Sequence, residues 1–192
     1  MFNGEEIKFL DKIYPCSQNV VYSSKDIENF TVATKIGNEH FSNNSPSYNG
    51  SVNGAFIVVN LSSSNELIGR AEYRRNFIKI ISSSNNLAYV YANAGFGEST
   101  TDLVYSGHSI ICEKGEILNE SVLFENSLIV SDIDVDFLAF ERSKSNINVV
   151  LDNSIANKFV EFSLNHGEFA LDRKFREMPF VPQNDDGRFE LI

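Results

Sequence analysis

AYVYANAGFGESTTDLVYSGHSIICEKG, residues 88–115, joins an apolar run to a loop of small and polar residues and then to a second apolar run. Ala88, Tyr89, Val90, Tyr91 and Ala92 are strand formers without alternation, which predicts a strand covered on both faces. Gly95 and Gly97 are expected to take the backbone to positive φ, with 98–102 (ESTTD) following as a polar loop. Residues 108–113 and 116–121 read as two strands joined at Lys114-Gly115 by a tight hairpin.

Working upstream, 55–61 (AFIVVNL) is a strongly apolar buried strand. Between it and residue 88, Tyr73, Phe77, Ile80 and Ile81 recur at helical spacing over 69–84, with Arg70, Glu72, Arg74, Arg75 and Lys79 elsewhere. This pattern predicts an amphipathic helix packed on a sheet. Residues 19–22 and 30–36 read as strands around a Ser-Ser-Lys-Asp turn; the second ends at Gly37, and an Asn-, Ser- and Gly-rich loop fills 38–54. Downstream, 127–135 (SLIVSDIDV) is expected to be a strand and 136–144 a short helix. After 145 only short extended segments remain, at 149–151, 159–164 and 168–171. Strands separated by a helix and followed by hairpins imply mixed α/β architecture with partly antiparallel pairing.

The chain has 192 residues, 42% of them apolar and 12% aromatic, enough for one domain with a substantial core. Its net charge of −10 leaves no basic stripe to displace counterions from phosphates, so nucleic acid is not an expected partner. No apolar run approaches the roughly 20 residues of a membrane span, and the first residues lack a signal-peptide pattern. A soluble cytoplasmic protein without membrane contact is therefore expected. Cys16 and Cys112 stand far apart, without metal-ligand spacing, and are expected to be unpaired thiols. His40, His108 and His166 are each isolated, so a metal site is not expected.

The order strand, Gly-rich loop, then Ser106-Gly107-His108-Ser109-Ile110-Ile111 through Gly115 resembles the nitrilase-like (carbon-nitrogen hydrolase) superfamily. The wording GESTTDL at 97–103 is narrower, and is similar to the glutaminase domain of glutamine-dependent NAD synthetases. Two further stretches carry the resemblance. Ser62-Ser63-Ser64 with Ile68-Gly69-Arg70-Ala71-Glu72 and Arg74-Arg75 resembles the family's N-L-S-x-S and I-G-R-A-E-x-R-R pattern. Met178-Pro179-Phe180-Val181-Pro182 resembles the segment that leads from the glutaminase domain to the synthetase domain.

The resemblance implies an α-β-β-α sandwich, here incomplete on its N-terminal side, because only 36 residues precede Gly37. It divides the chain into a partial nitrilase-like glutaminase domain at 1–145 and a C-terminal extension with the interdomain linker at 146–192. Such domains hydrolyse glutamine with a Glu, a Lys and a Cys, and deliver ammonia for NAD synthesis. The nucleophile motif reads close to E-I-C-E-D in the family; here the corresponding stretch is Lys35-Ile36-Gly37-Asn38-Glu39, which puts Gly37 at the nucleophile position. Glycine has no side chain with which to attack, so the resemblance implies no catalytic residue in this chain and no thioester route. Cys16, Cys112, Lys8 and Lys12 do not have the spacing to replace the missing groups.

By the same resemblance, Ser64 and Arg70 would hold the α-amino and α-carboxylate groups of glutamine, and Phe41 would line the pocket, while Asn38 replaces a family glutamate. An Arg at a helix start can offer parallel N–H donors to a carboxylate, and a Ser hydroxyl can accept from an ammonium. The family's S-G-G-x-D-S phosphate loop is absent, so no cofactor is expected in this chain; ATP and the NAD precursor would be held by a synthetase domain. Implied partners are glutamine, that synthetase domain and a second copy of the chain, since exposed sheet edges favour homo-oligomers. Two other readings stand beside this one: a catalytically silent nitrilase-like binding or interaction domain, and another carbon-nitrogen hydrolase with a relocated nucleophile.

Overall fold

The computed structural model describes residues 6–15, 20–37, 54–144, 158–164, 167 and 173. Seven strands form one mixed sheet: Val20–Ser24 (β3), Thr31–Ile36 (β4), Ile57–Ser62 (β5), Ala88–Asn93 (β6), Ser109–Glu113 (β7), Glu116–Glu120 (β8) and Lys158–Phe162 (β9). Their order is β8-β7-β6-β5-β4-β3-β9. Pairing is parallel along β4, β5 and β6 and between β3 and β9, and antiparallel at β3/β4, β6/β7 and β7/β8. The mixed α/β expectation holds, as do the strands around Gly37 and the hairpin at Lys114-Gly115. That hairpin turns on positive φ at both residues, 46° and 89°, as a two-residue loop matched to strand twist requires.

Glu6–Phe9 (β1) and Lys12–Pro15 (β2) form a separate antiparallel ribbon that the sequence pattern did not reveal. It turns at Leu10 and Asp11, both at positive φ, and exposes Ile7, Phe9, Leu10 and Ile13. Asp11 takes an ion pair from Lys8 at 3.2 Å.

Helix α1 (Arg70–Ser84) crosses from β5 to β6 and packs on β6, β7 and β8. Its boundaries match the predicted helix, but its buried stripe does not. Arg74, Ile78 and Ser82 face the sheet, with Phe77 and Ile81 half-buried beside them, whereas Tyr73 and Ile80 are largely exposed. The helix is rotated because two polar residues of the stripe have specific partners beneath it. Arg74 enters an ion-pair network, and Ser82 Oγ donates to Leu87 O at 2.6 Å while accepting from Gly115 N–H at 3.1 Å. Under α1 lies a core of Val21, Ala33, Val58, Ile78, Leu87, Tyr89, Tyr91, Ile110 and Cys112.

The alternate residues of the same strands face the other way. There Ile57, Ala88 and Leu138 form a second core, flanked by Phe30, Val32, Phe56, Val59, Val90, Ile133 and Val135. Leu138 belongs to helix α2 (Val135–Lys144), so both faces of β5 and β6 are covered, as their unbroken apolar runs require. Arg142 fastens α2 to the sheet: one terminal nitrogen donates to the carbonyls of Ala55, Asn86 and Asn85 at 2.9, 3.2 and 3.4 Å. Its guanidinium sits 4.1 Å from the centre of the Phe56 ring, and burial lowers its pKa to about 10.

Two local expectations are corrected. Residues 127–134 form no strand: the Val130 carbonyl accepts from the Asn119 side chain at 2.9 Å, and Leu128 and Val130 stay exposed. Gly95 is at φ −72°, and Gly97 lies within a short 3-10 turn, Phe96–Glu98. A Cβ on Gly95 would meet Asn126 Oδ1 at 3.4 Å, an ordinary contact, so neither space nor backbone conformation demands glycine at that position. β9 lies in the segment read as a C-terminal extension, and it lengthens the sheet beside β3. Arg173 grips the buried Glu113 carboxylate of β7 with two bonds of 2.6 and 2.9 Å.

Candidate functional site

The parallel strands β4, β5 and β6 end together at one edge of the sheet, the position outside which ligands bind in open α/β sheets. Strand alternation decides which side chains arrive there on the α1 face. Lys35, Asn60 and Tyr91 are aligned across the three strands, all buried, and Ser62 and Asn93 lie one step further on. Asn60 Nδ2 donates to Tyr89 OH at 2.9 Å. Burial raises the Tyr91 phenol above its ordinary pKa, partly offset by hydrogen bonding with Ser62 and Ser64. A band of polar groups thus replaces the apolar core where the strands stop.

Gly37 ends β4. Its N–H donates to Leu61 O at 2.7 Å, extending the β4/β5 ladder by one bond, and it is a turn residue with φ of +76°. No heavy atom lies within 4 Å of where a Cβ would be, so conformation rather than space favours glycine there. The turn stands beside Leu61 and Ser62, where the segment leading to Ser64 and Arg70 begins.

Ser64 is almost fully buried. Asn93 fixes its backbone from both sides: Ser64 N–H donates to Asn93 Oδ1 and Asn93 Nδ2 donates to Ser64 O, each at 2.8 Å. The Asn93 amide thereby replaces a strand neighbour after β5 has ended. Arg70 opens α1, half-buried, with its guanidinium carbon 5.6 Å from the centre of the Tyr73 ring. Phe41, Asn38, His40, His166, Cys16 and the segment 178–182 lie outside the described residues, so the structure places none of them.

Below Ser64 a chain of charged and polar groups runs through the protein. Glu66 Oε2 accepts from Arg74 Nη2 in a close ion pair and from Ser106 Oγ at 2.5 Å. Arg74 Nε donates to His108 Nδ1 at 2.9 Å, His108 Nε2 meets Glu120 Oε1 at 2.6 Å, and the same Glu120 oxygen accepts from Arg75 Nε at 2.6 Å. Because His108 Nδ1 receives a hydrogen bond from a guanidinium, the imidazole is neutral with its proton on Nε2. Burial lowers its pKa, and this outweighs the opposing hydrogen bond to Glu120. Burial also penalises the Glu120 carboxylate, but hydrogen bonds from His108 and Arg75 hold its pKa below the ordinary value. His108 looked isolated in the sequence because its partners come from α1 and β8. Glu66 and Asn93 carried no signal at all, each being a common polar residue at the end of a strand or in a loop.

Cys112 is a free, buried thiol whose pKa burial raises, partly offset by Ser82 and the Gly115 backbone, which makes it a poor nucleophile. Lys8 lies on the exposed ribbon. Among the described residues, no three His, Cys, Asp or Glu side chains converge to hold a metal ion, and no helix is long and apolar enough to cross a membrane. A shallow groove of about 520 Å³ lies outside the loop, lined by Leu67, Ile68, Val104, Leu123 and Phe124 beside Glu66. Its walls are apolar and do not include Gly37, Ser64 or Arg70, so it is a different surface from the strand-end site.

No family model matches the chain. It is 34% identical over 175 residues to the glutamine-dependent NAD(+) synthetase of Mycobacterium tuberculosis, a match covering 85% of this chain and 26% of that protein. The chain thus spans about a quarter of the length of the relatives it matches. Among solved structures, the glutamine-dependent NAD+ synthetase of Acinetobacter baumannii superposes with a TM-score of 0.53 at 19% identity, over 72% of this chain and 22% of that one. Saccharomyces cerevisiae Nit3, a nitrilase-superfamily member, gives 0.52 at 15% identity, over 62% of this chain and 42% of that one. The chain is thus a homologue of glutamine-dependent NAD(+) synthetases, with the fold of the nitrilase superfamily.

Proposed function

We propose that this chain is the glutamine-recognising part of a glutaminase domain whose hydrolytic step is silent. In an active relative such a domain would release ammonia from glutamine for a synthetase domain that holds ATP and the NAD precursor. Here Ser64 and Arg70 serve the amino acid's α-amino and α-carboxylate groups, and Phe41 completes the pocket. The observation that carries the reading is Gly37: a turn at positive φ, where β4 ends beside Ser62, without a side chain to form a thioester. The buried Cys112, its pKa raised, supports the absence of a substitute nucleophile.

Calorimetric titration of the pure chain with L-glutamine, alongside an assay for released glutamate, tests both halves. Saturable binding without glutamate above the buffer blank is the expected result. Glutamate release would overturn the silent step, and a chloroketone analogue of glutamine that labelled Cys16 or Cys112 would identify a relocated nucleophile. Absence of glutamine binding would leave the second reading, a nitrilase-like interaction domain, favoured by the apolar groove at Leu67, Ile68 and Phe124.

A further inference from the structure

Residues 63–69 connect β5 to α1 without regular secondary structure, yet both proposed ligand-binding side chains depend on this segment. Ser64 lies within it and Arg70 is the first residue after it. Glu66 stands between them, and two of its atoms make three tethering contacts. Its N–H donates to Val104 O at 2.7 Å, and its Oε2 is held by Arg74 from α1 and by Ser106 from the irregular segment leading to β7. Arg74 is itself held in orientation by His108, which Glu120 holds in turn. The course of the loop is therefore tied to α1 and to the segment before β7 through the Glu66 carboxylate.

We propose that Glu66 is a positioning residue, whose carboxylate, gripped by Arg74 and Ser106, presets the loop carrying Ser64 and Arg70 for an amino-acid ligand. This rests on the glutamine reading above. A loop already ordered loses less conformational freedom when ligand binds, so the tether contributes to affinity without touching ligand. Glutamine in place of Glu66 keeps an acceptor for both Arg74 and Ser106; alanine removes it.

The test compares Glu66→Ala, Glu66→Gln, Ser106→Ala and Leu138→Ala with the wild-type chain, well below each melting temperature. Calorimetry with L-glutamine is expected to show at least tenfold weaker binding for Glu66→Ala, a smaller loss for Ser106→Ala, and recovery to within about threefold of wild type for Glu66→Gln. Leu138→Ala, in the opposite core, is expected to lower the melting temperature without weakening binding. Equal affinity for Glu66→Ala and wild type, or equal losses for Glu66→Ala and Leu138→Ala, would overturn the proposal. Amide exchange at Ser64 and Glu66 decides the matter independently of glutamine. Faster exchange there in Glu66→Ala but not in Leu138→Ala supports positioning, and unchanged exchange refutes it. A wild-type chain that binds no glutamine would sink the functional reading alone, with exchange still deciding the role of Glu66.

Discussion

The two faces of the central strands use adjacent residues of one sequence for different ends. On the α2 face, Ile57, Val59, Ala88, Val90 and Leu138 meet by apolar contact. On the α1 face, the same strands begin apolar at Val58 and Tyr89 and become polar toward their ends, at Asn60, Ser62 and Asn93. Apolar contacts are non-directional and tolerate repacking, whereas the Glu66–Arg74–His108–Glu120 chain needs every partner in place. One face is suited to holding the sheet together and the other to holding a geometry.

The largest effect is expected from breaking the polar face. Arg74→Met leaves the Glu66 carboxylate with a lost partner in a largely buried site, which should cost about 3–5 kcal/mol in a denaturant titration. Leu138→Ala tests the apolar face, with an expected loss of about 2–5 kcal/mol. If Leu138→Ala also disturbed amide exchange at Ser64, the two faces would not be independent.

Acid should distinguish the faces next. The His108 pKa is lower in the folded protein than the unfolded value of about 6.5, so the unfolded chain binds the proton first. Stability is then fully present above pH 6.5 and is lost as pH falls from there toward the lowered folded value. Glu120, whose pKa is also lowered, adds a second loss at more acid pH, below its unfolded value. The groups facing His108 are Arg74 and Arg75 on α1 and Glu120 on β8. Melting temperatures measured between pH 7.5 and 5 should therefore fall, and His108→Gln should flatten that dependence.

Gly37→Ala comes next: with space for a Cβ but φ at +76°, it should cost about 1–2 kcal/mol from backbone strain, read by chemical denaturation. Smallest is Glu72→Ala, which removes an exposed pair to Arg75 at 3.2 Å and should change stability by less than about 0.5 kcal/mol. A larger change would mean that the network extends to the protein surface.

Much of the apolar face was legible in the sequence, because continuous or periodic hydrophobic runs report burial directly. Strands at 57–62 and 88–93 and a helix at 70–84 follow from such runs. The polar face was harder to read. The side of α1 that meets the sheet is set by Arg74 and Ser82, residues that a hydrophobic pattern assigns to solvent. Asn93 and Glu66 act through backbone and loop contacts that no spacing encodes. The strand expected at 127–135 failed for the converse reason: Leu128 and Val130 look like a buried strand, but an Asn119 side chain holds the Val130 carbonyl. The resemblance to a known family supplied the expected turn at Gly37 and the roles proposed for Ser64 and Arg70, which residue types alone would not have suggested.

The pairing of β3 with β9 has a kinetic consequence. Asp26, just after β3, accepts from the Leu164 N–H at 2.7 Å, a contact that spans 138 residues of chain. Lys25 N–H likewise donates to Phe162 O, and the register runs Val20 to Lys158 through Ser24 to Phe162. Contacts of such sequence separation form late, after the entropy of closing a long loop has been met. On a ribosome, β3 and β4 would emerge and pair well before β9 exists, leaving the outer edge of β3 open to solvent until residues 158–162 have been made. The edge of β3 is therefore covered only when β9, more than 130 residues downstream, adds to it, and until then this edge is where a nascent chain would be exposed to pairing with a neighbour.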